Sequence, residues 1–362
     1  MNFFYLKKHN YPDKVLSQKL ERAAEVLSQK LKQKEIKDLV ISDYNKKYLA
    51  HHIQNIQFSL QLFCNILYQA FEHKSNTIEE TTLVDYGGGT GLLGFLAAEL
   101  GVKNIVYVDF YDVSVNDARI IAQTLKYQNV DFVYGEVSNL LAYADSNNLS
   151  IDVLVSSDVI EHIYNLEEFF ERLSTLNKKN KLRFILQTAS NIKNPFKRRE
   201  LEKYQLNEEL NDRANDFGHK QMDSLQSYYK IRRKIIKNTL PEVSENELHE
   251  LASRTRGMRD DDISKTILKY KQTKLLPAFP KHKTNTCDPY TGNWTERLME
   301  FEWLEKITLN NGFETLILKG YYGRNFHENK LKVLIKKCLN FLVLISGDYG
   351  FKLAPYIIIK TK

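Results

Sequence analysis

The stretch "LVDYGGGTGLLG", residues 83–94, decides the fold. An apolar run ends on the carboxylate of Asp85, glycines follow at 87, 88, 89, 91 and 94, and leucines resume between them. A strand, a bare loop and a helix start in that order leave backbone N–H groups facing a ligand, as at the binding crevice of a doubly wound sheet. No Lys-Ser/Thr pair follows the glycines, which excludes a P-loop. Gly89, Gly91 and Gly94 do fit the G-x-G-x-x-G of dinucleotide sites. Three features point elsewhere. Asp85 stands two residues before Gly87, where a carboxylate suits a cationic amine or backbone donors and repels a pyrophosphate. Gly87-x-Gly89-x-Gly91 is a tighter run than the dinucleotide fingerprint requires. Helical pattern also precedes this first strand, whereas a dinucleotide domain commonly opens on it.

Working outward, short β-type runs recur at 81–86, 104–110, 130–135, 151–157 and 182–188, with helix-length segments between them. Strands alternating with helices make βαβ units and a parallel sheet covered on both faces. Upstream, 12–34 and 44–72 read as helices, with apolar residues at 3–4 spacing in "YLAHHIQNIQFSLQLFCNILYQAF" (48–71). After Thr188 the alternation stops. Residues 191–283 are polar, basic and helical in pattern, and "SENE" (244–247) fits a capping box. Residues 275–293 hold three prolines and read as loop. The alternation resumes with a helix at 295–310, a strand at 313–320, a helix at 328–345 and a strand at 356–362. The expectation is an α/β, Rossmann-like, doubly wound seven-stranded sheet with N-terminal helices and a helical insertion after strand five. Its parts are a helical segment 1–78, a core 79–190, a basic insertion and substrate loop 191–293, and a completion of the sheet by 294–362.

The bulk properties agree. A chain of 362 residues, 43% hydrophobic and 27% charged, has ordinary globular composition. Cys64, Cys287 and Cys338 are scattered without a CxxC, against a disulfide scaffold or zinc site and in keeping with a reducing compartment. The start, "MNFFYLKKHNYPDK", lacks the apolar run of a signal peptide. The longest apolar region, "LKVLIKKCLNFLVLISG" (331–347), is broken by three lysines and is too short to span a bilayer. The expectation is a cytoplasmic protein with no transmembrane segment. Residues 191–283 carry 21 Lys+Arg against 14 Asp+Glu, the whole of the chain's +7 excess. That implies either an anionic partner or a solvated helical face.

The second strand ends at Asp109, 24 residues after Asp85, placed to accept from two ribose hydroxyls. NAD and S-adenosylmethionine share that ribose, so Asp109 alone does not choose between them. With "VDFYDVSVNDAR" (108–119), "VDFVYGEV" (130–137) and "DVLVSSDVIEHI" (152–163) following in order, the chain resembles the class I S-adenosylmethionine-dependent methyltransferases over about 80–190 and, more loosely, over the final strands. The resemblance implies S-adenosyl-L-methionine as cofactor. It implies that Asp85, Gly87, Gly89 and Gly91 hold the methionine end, Asp109 the ribose and Glu136–Val137 the adenine edge, with Ser157 beside them. The family more often has Asp where Glu136 stands.

Methyl transfer is an in-line displacement, so the protein's work is to position the acceptor and, for a hydroxyl, to remove a proton by a base or a metal. Asp158, Glu161 and His162 are spaced to converge on one helical turn. His219 follows in "NDFGHKQMDS" (215–224). The set resembles the acid-x-x-Glu-His motif of ubiquinone-pathway O-methyltransferases and small-RNA 2′-O-methyltransferases, with Asp158 where the latter have Glu. Three roles stay open: a brace under the cofactor, a histidine base, or ligands of a divalent metal, for which Mg²⁺ or Mn²⁺ suits better than Zn²⁺. In "NTCDPYTGNWTERLM" (285–299), Asp288, Tyr290, Asn293 and Trp294 set hydrogen-bonding groups beside aromatic faces, as a sugar site does; the same residues also fit a helix start with Asn293 as cap and Glu296 three residues on. The function expected is O-methylation of an anionic small molecule or glycan, including surface-polysaccharide or lipid-linked sugars. The alternatives are an RNA 2′-O-methyltransferase and a non-catalytic S-adenosylmethionine-binding partner protein.

Overall fold

The computed structural model describes residues 11–33, 36, 38–72, 75–179, 181–214 and 220–362. Seven strands, β1 (Thr82–Tyr86), β2 (Asn104–Asp109), β3 (Val130–Tyr134), β4 (Val153–Ser157), β5 (Arg183–Thr188), β6 (Thr315–Lys319) and β7 (Ile357–Thr361), form one sheet in the order β3-β2-β1-β4-β5-β7-β6. β1 to β5 run parallel, and β7 is antiparallel to both β5 and β6. Burial follows position: every residue of β1 is buried, while the edge strands β3 and β6 are largely not. Central strands covered on both faces can be apolar throughout, and that is why they were legible as short apolar runs. The strand order reverses between β1 and β4, which opens a crevice at their carboxyl ends.

Among the described residues, three α-helices precede the sheet: α1 (Lys14–Lys30), α2 (Asp43–Gln54) and α3 (Ile56–Phe71). The Asp13 carboxylate caps α1, accepting from the Leu16 N–H at 2.9 Å. The helix expected over 44–72 is two, broken at Asn55, whose φ of −108° and ψ of 31° leave the helical region. The break frees α3 from α2, and α3 is buried on all sides apart from Phe58. Its polar residues are therefore bonded: Asn65 accepts from the Tyr11 hydroxyl and donates to Tyr356, and Gln61 exchanges two bonds with the Arg324 backbone. The remaining helices around the sheet are α4 (Leu92–Leu100), α5 (Asp112–Thr124), α6 (Val137–Ser146) and α7 (Leu166–Lys179).

The chain forms two compact units. The first comprises residues 1–160, 166–189 and 301–362 and holds the sheet. The second comprises 161–165 and 190–300. It contains α8 (Pro195–Leu210), α9 (Tyr228–Thr239), α10 (Glu245–Arg254) and α11 (Asp260–Thr273). Ile231, Ile235, Ile236, Leu248, Leu251, Ile263 and Ile267 make its apolar centre. Beside them Arg232 is wholly buried, its guanidinium held by both oxygens of Glu209 and by the Ala252 carbonyl. The expected capping box forms, with the Ser244 hydroxyl accepting from Glu247 N–H and the Glu247 carboxylate accepting from Ser244 N–H.

Two helices complete the first unit's C-terminal part, α12 (Phe301–Asn310) and α13 (Lys330–Ile345). The helix expected from 295 begins only at Phe301, and Asn293 is no cap. Residues 286–295 pair with one another instead: Cys287 bridges Trp294, Thr295 N–H donates to the Thr286 carbonyl, and Asp288 N–H to that of Asn293. Among the described residues no helix is long and apolar enough to cross a membrane. Cys64 and Cys287 are buried free thiols, and Cys338 is exposed.

Candidate functional site

The loop after β1 is tied to β2. The N–H groups of Gly87 and Gly88 donate to the Val108 carbonyl at 2.7 and 3.3 Å. Gly87, Gly89 and Gly91 have φ of +69°, +53° and +79°, the left-handed region that glycine enters without cost. Space separates their roles. A Cβ at 87 would lie 2.5 Å from Val159, at 88 2.5 Å from the Tyr107 ring, and at 91 2.7 Å from Phe95. At Gly89 a Cβ would meet nothing within 4 Å. Packing demands glycine at the first three positions; at Gly89 the backbone borders an open cradle.

Two carboxylates stand by this loop, Asp109 at Gly89 and Asp85 at Gly88 and Gly94. Asp85 is 1% exposed, and among the described residues its hydrogen-bond donor is the Gly94 N–H, at 2.8 Å from Oδ2. Burial pushes its carboxyl up to about 7; the Gly94 bond works against the rise, and Asp109 nearby adds to it. Asp109, at the end of β2, accepts from Gly89 N–H at 3.0 Å and from Tyr111 N–H at 2.9 Å. Tyr107 is the residue the sequence reading missed. Its hydroxyl donates to the Gly89 carbonyl at 2.7 Å, and its ring fills the space beside Gly88. The signal was available: Tyr107 stands two residues before Asp109, on the same face of β2.

These residues fit the expected cofactor. A buried carboxylate short of donors suits an ammonium, an acid at the end of the second strand suits ribose hydroxyls, and the open position at Gly89 admits a ligand against bare backbone. Of the further residues expected there, Val137 is buried and Glu136 is exposed at the start of α6, its N–H donating to Asn139. The Ser157 hydroxyl donates to Gln187 on β5 at 2.7 Å.

The acid-x-x-Glu-His set does not lie on one helical turn. Asp158 has a φ of +54° and precedes the 3₁₀ turn of Ile160–His162. Its Oδ1 accepts from the Ala189 N–H at 2.8 Å and from the Gln187 side chain at 3.3 Å, so the carboxylate ties the end of β4 to β5. Glu161 and His162 belong to the second unit, where the chain at 161–162 pairs with 294–297. Trp294 N–H donates to the His162 carbonyl and Arg297 N–H to the Glu161 carbonyl. Glu161 is wholly buried. His162 Nδ1 lies 2.7 Å from the Trp294 carbonyl oxygen. A carbonyl only accepts, so Nδ1 carries the hydrogen and Nε2 is the lone-pair nitrogen of the neutral ring. That Nε2 is 3.8 Å from Glu296 Oε1. Glu296, read from sequence only as part of a helix start, has a φ of +47°, held by Gln205 donating to its carbonyl. Asp158 and Glu296 are among five described non-glycine residues with such a φ. No sequence signal announces that of Glu296.

Asp288 accepts from the N–H groups of Ser224, Tyr290 and Thr291. The Trp294 ring stacks on Tyr164 with Arg297 over it at 4.5 Å, and its Nε1 donates to the Tyr164 carbonyl. Tyr290 is exposed. Lys197 and Arg198 face Glu200 and Glu202, at 2.9 and 3.7 Å. Among the described residues no group of three or more His, Cys, Asp or Glu is placed to hold a metal. His219 lies outside the described residues.

Residues 78–260, half of the chain, match the family described as a methyltransferase domain. Over 84 residues the chain is 33% identical to the ribosomal protein L11 methyltransferase of Clostridium perfringens, covering 23% of this chain and 25% of that protein. The chain thus spans about a quarter of the length of the curated relatives it matches. Among solved structures it is similar to an S-adenosylmethionine-dependent methyltransferase of Mesorhizobium loti, at 11% identity, 82% of this chain, 96% of that one and a TM-score of 0.38. It is also similar to one of Aquifex aeolicus, at 19% identity, 33% of this chain, 62% of that one and a TM-score of 0.27.

Proposed function

The chain belongs to the methyltransferase-domain family, as a class I S-adenosylmethionine-dependent enzyme, and on that premise we propose that it O-methylates a small polar acceptor or glycan with His162 as the base. The observation that carries this reading is the fixed tautomer of His162. With Nδ1 committed to the Trp294 carbonyl, Nε2 is the nitrogen able to take a hydroxyl proton, and Glu296 stands 3.8 Å from it to balance the imidazolium that forms. Bound S-adenosylmethionine supplies a methyl group on a sulfonium, a good leaving group. In the first unit the chain's part is to hold the cofactor's ammonium at Asp85 and its ribose at Asp109; in the second unit its part is to take a hydroxyl proton at His162 Nε2.

A metal-assisted version uses Asp158, Glu161, His162 and His219 around Mg²⁺ or Mn²⁺. The pairing of several insertion cations with carboxylates weighs against the RNA reading, in which those cations follow phosphates. The test is transfer of labelled methyl from S-adenosylmethionine to sugars, lipid-linked sugars, phenols, RNA and ribosomal protein, before and after dialysis against EDTA. Transfer to a hydroxylated small molecule, untouched by EDTA and reduced roughly 10²–10⁴-fold in kcat by His162→Ala, is the expected result. Activity lost to EDTA and restored by Mg²⁺ or Mn²⁺ would replace the base by a metal. Normal kcat in the variant would leave His162 a brace. Salt-sensitive transfer to RNA alone would overturn the acceptor class.

A further inference from the structure

Helix α13 is apolar on its outward side as well as its inward one. A helix on a protein surface turns its apolar stripe inward. Here the inward residues are Val343, buried with Tyr321 and Ala354, Asn340, which exchanges two bonds with the Tyr322 backbone, and Lys336, which donates to the Gly323 carbonyl at 2.6 Å. The outward residues are large and aliphatic or aromatic: Leu331, Leu334, Ile335, Phe341, Leu342 and Ile345, each between 43% and 66% exposed. At about 100° per residue these six fall within an arc of about 120°, centred on the exposed Cys338. Lys332 borders that arc on one side, and Lys330 and Lys337 border it on the other. The sixteen residues of α13 contain no Asp or Glu.

We infer that α13 is an interfacial helix that seats this enzyme on an anionic lipid surface. A contiguous exposed apolar face of this size marks an interaction site. Lysines at both margins, with no carboxylate on the helix, complement lipid phosphates. Lys332 already has Glu328 at 3.7 Å, but a second copy packed face to face would set Lys330 and Lys337 against one another with nothing on either helix to pair them. The helix is about 24 Å long, too short to cross a bilayer, so it lies flat with its apolar arc among the acyl chains. The inference stands apart from the identity of the methyl acceptor.

The experiment uses the full chain. Co-sedimentation with phosphatidylglycerol vesicles should carry the protein down, and phosphatidylcholine vesicles should carry down far less. Leu334→Gln with Ile335→Gln should lower the phosphatidylglycerol partition by about tenfold or more. Lys332→Gln with Lys337→Gln should lower it by about tenfold, an effect that salt erases. Stabilisation by S-adenosylhomocysteine, retained in every variant, shows that the fold and the cofactor site survive. A second reading needs no substitution: an environment-sensitive fluorophore on Cys338, the exposed thiol, should shift to the blue on adding phosphatidylglycerol vesicles. No sedimentation and no shift overturn the inference. So does a shift that follows protein concentration without lipid, which assigns the face to a second copy. Undiminished binding by the double-glutamine variant of Leu334 and Ile335 overturns it as well.

Discussion

Asp85 and Asp288 are both carboxylates buried to within 2% of completeness, one in each unit, and they do opposite things. Asp288 is surrounded by three backbone N–H groups, from Ser224, Tyr290 and Thr291, so its burial is compensated and it organises its own loop. Asp85 has the Gly94 N–H and little else, and its carboxyl is pushed up to about 7 by that burial. A buried carboxylate saturated by its own backbone is architecture. One left short of donors beside a glycine loop suits the cation of the proposed cofactor. The same contrast separates Asp109, at the border of the cradle, from Asp158, whose carboxylate ties two strands together.

The sharpest way to break this comparison is to remove each charge in turn. Asp85→Asn should weaken S-adenosylhomocysteine binding about a hundredfold, since it removes the partner of a desolvated ammonium. The same change should stabilise the ligand-free protein above pH 7 by about 2–4 kcal/mol. The sign follows from proton binding. The folded carboxyl keeps its proton up to about pH 7, whereas the unfolded one releases it near 3.8, so the fold binds the extra proton between those values and loses stability as pH rises through them. Melting curves from pH 4 to pH 8 check it. A flat difference between variant and parent would remove Asp85's special status. Asp288→Asn should do the reverse, leaving cofactor affinity alone and costing about 1–3 kcal/mol of stability.

A smaller effect is expected at the ribose position. Asp109→Ala should cost about 1.5–3 kcal/mol of cofactor binding, the range for hydrogen bonds to a charged group. Unchanged calorimetric affinity in the folded variant would class Asp109 with Asp288.

Within the loop, adjacent glycines should part company. Gly88→Ala drives a Cβ to 2.5 Å of the Tyr107 ring and should lower the melting temperature. Gly89→Ala meets no protein atom, so beyond the cost of about 1–2 kcal/mol for a left-handed alanine its loss should appear in cofactor affinity. If both variants merely melt earlier, the cradle is ordinary turn packing.

The least effect is expected from the basic insertion. Neutralising Lys197, Arg198 and Arg199 together should change the acceptor KM by less than about threefold at low salt, because two of the three already face carboxylates. A large, salt-sensitive rise in KM would restore them as acceptor contacts.

Much of the first unit was legible in the sequence. All seven strands fall within two residues of the runs that announced them. Less was legible in the second unit. Asp288, Trp294 and the Lys197–Arg198 pair looked like acceptor chemistry and prove to be held by neighbours. Glu296, which faces His162, looked like part of a helix start. The helix over 44–72 was read through a break that Asn55 makes.

By itself the sequence determined the strand–helix alternation, the glycine loop and the spacing of its two acids. Those are short-range properties: a period of two or of 3.6, a run of bare backbone, an acid at a strand end. Only the tertiary structure decided which polar groups were already spent. His162 meets the Trp294 carbonyl across 132 residues and Asp288 meets Ser224 across 64. α13 leaves an apolar face exposed besides the side on which Val343 is buried. The physical reason is that a donor is committed by whatever the fold brings to it, and a chain records its local pattern far more plainly than its distant partners.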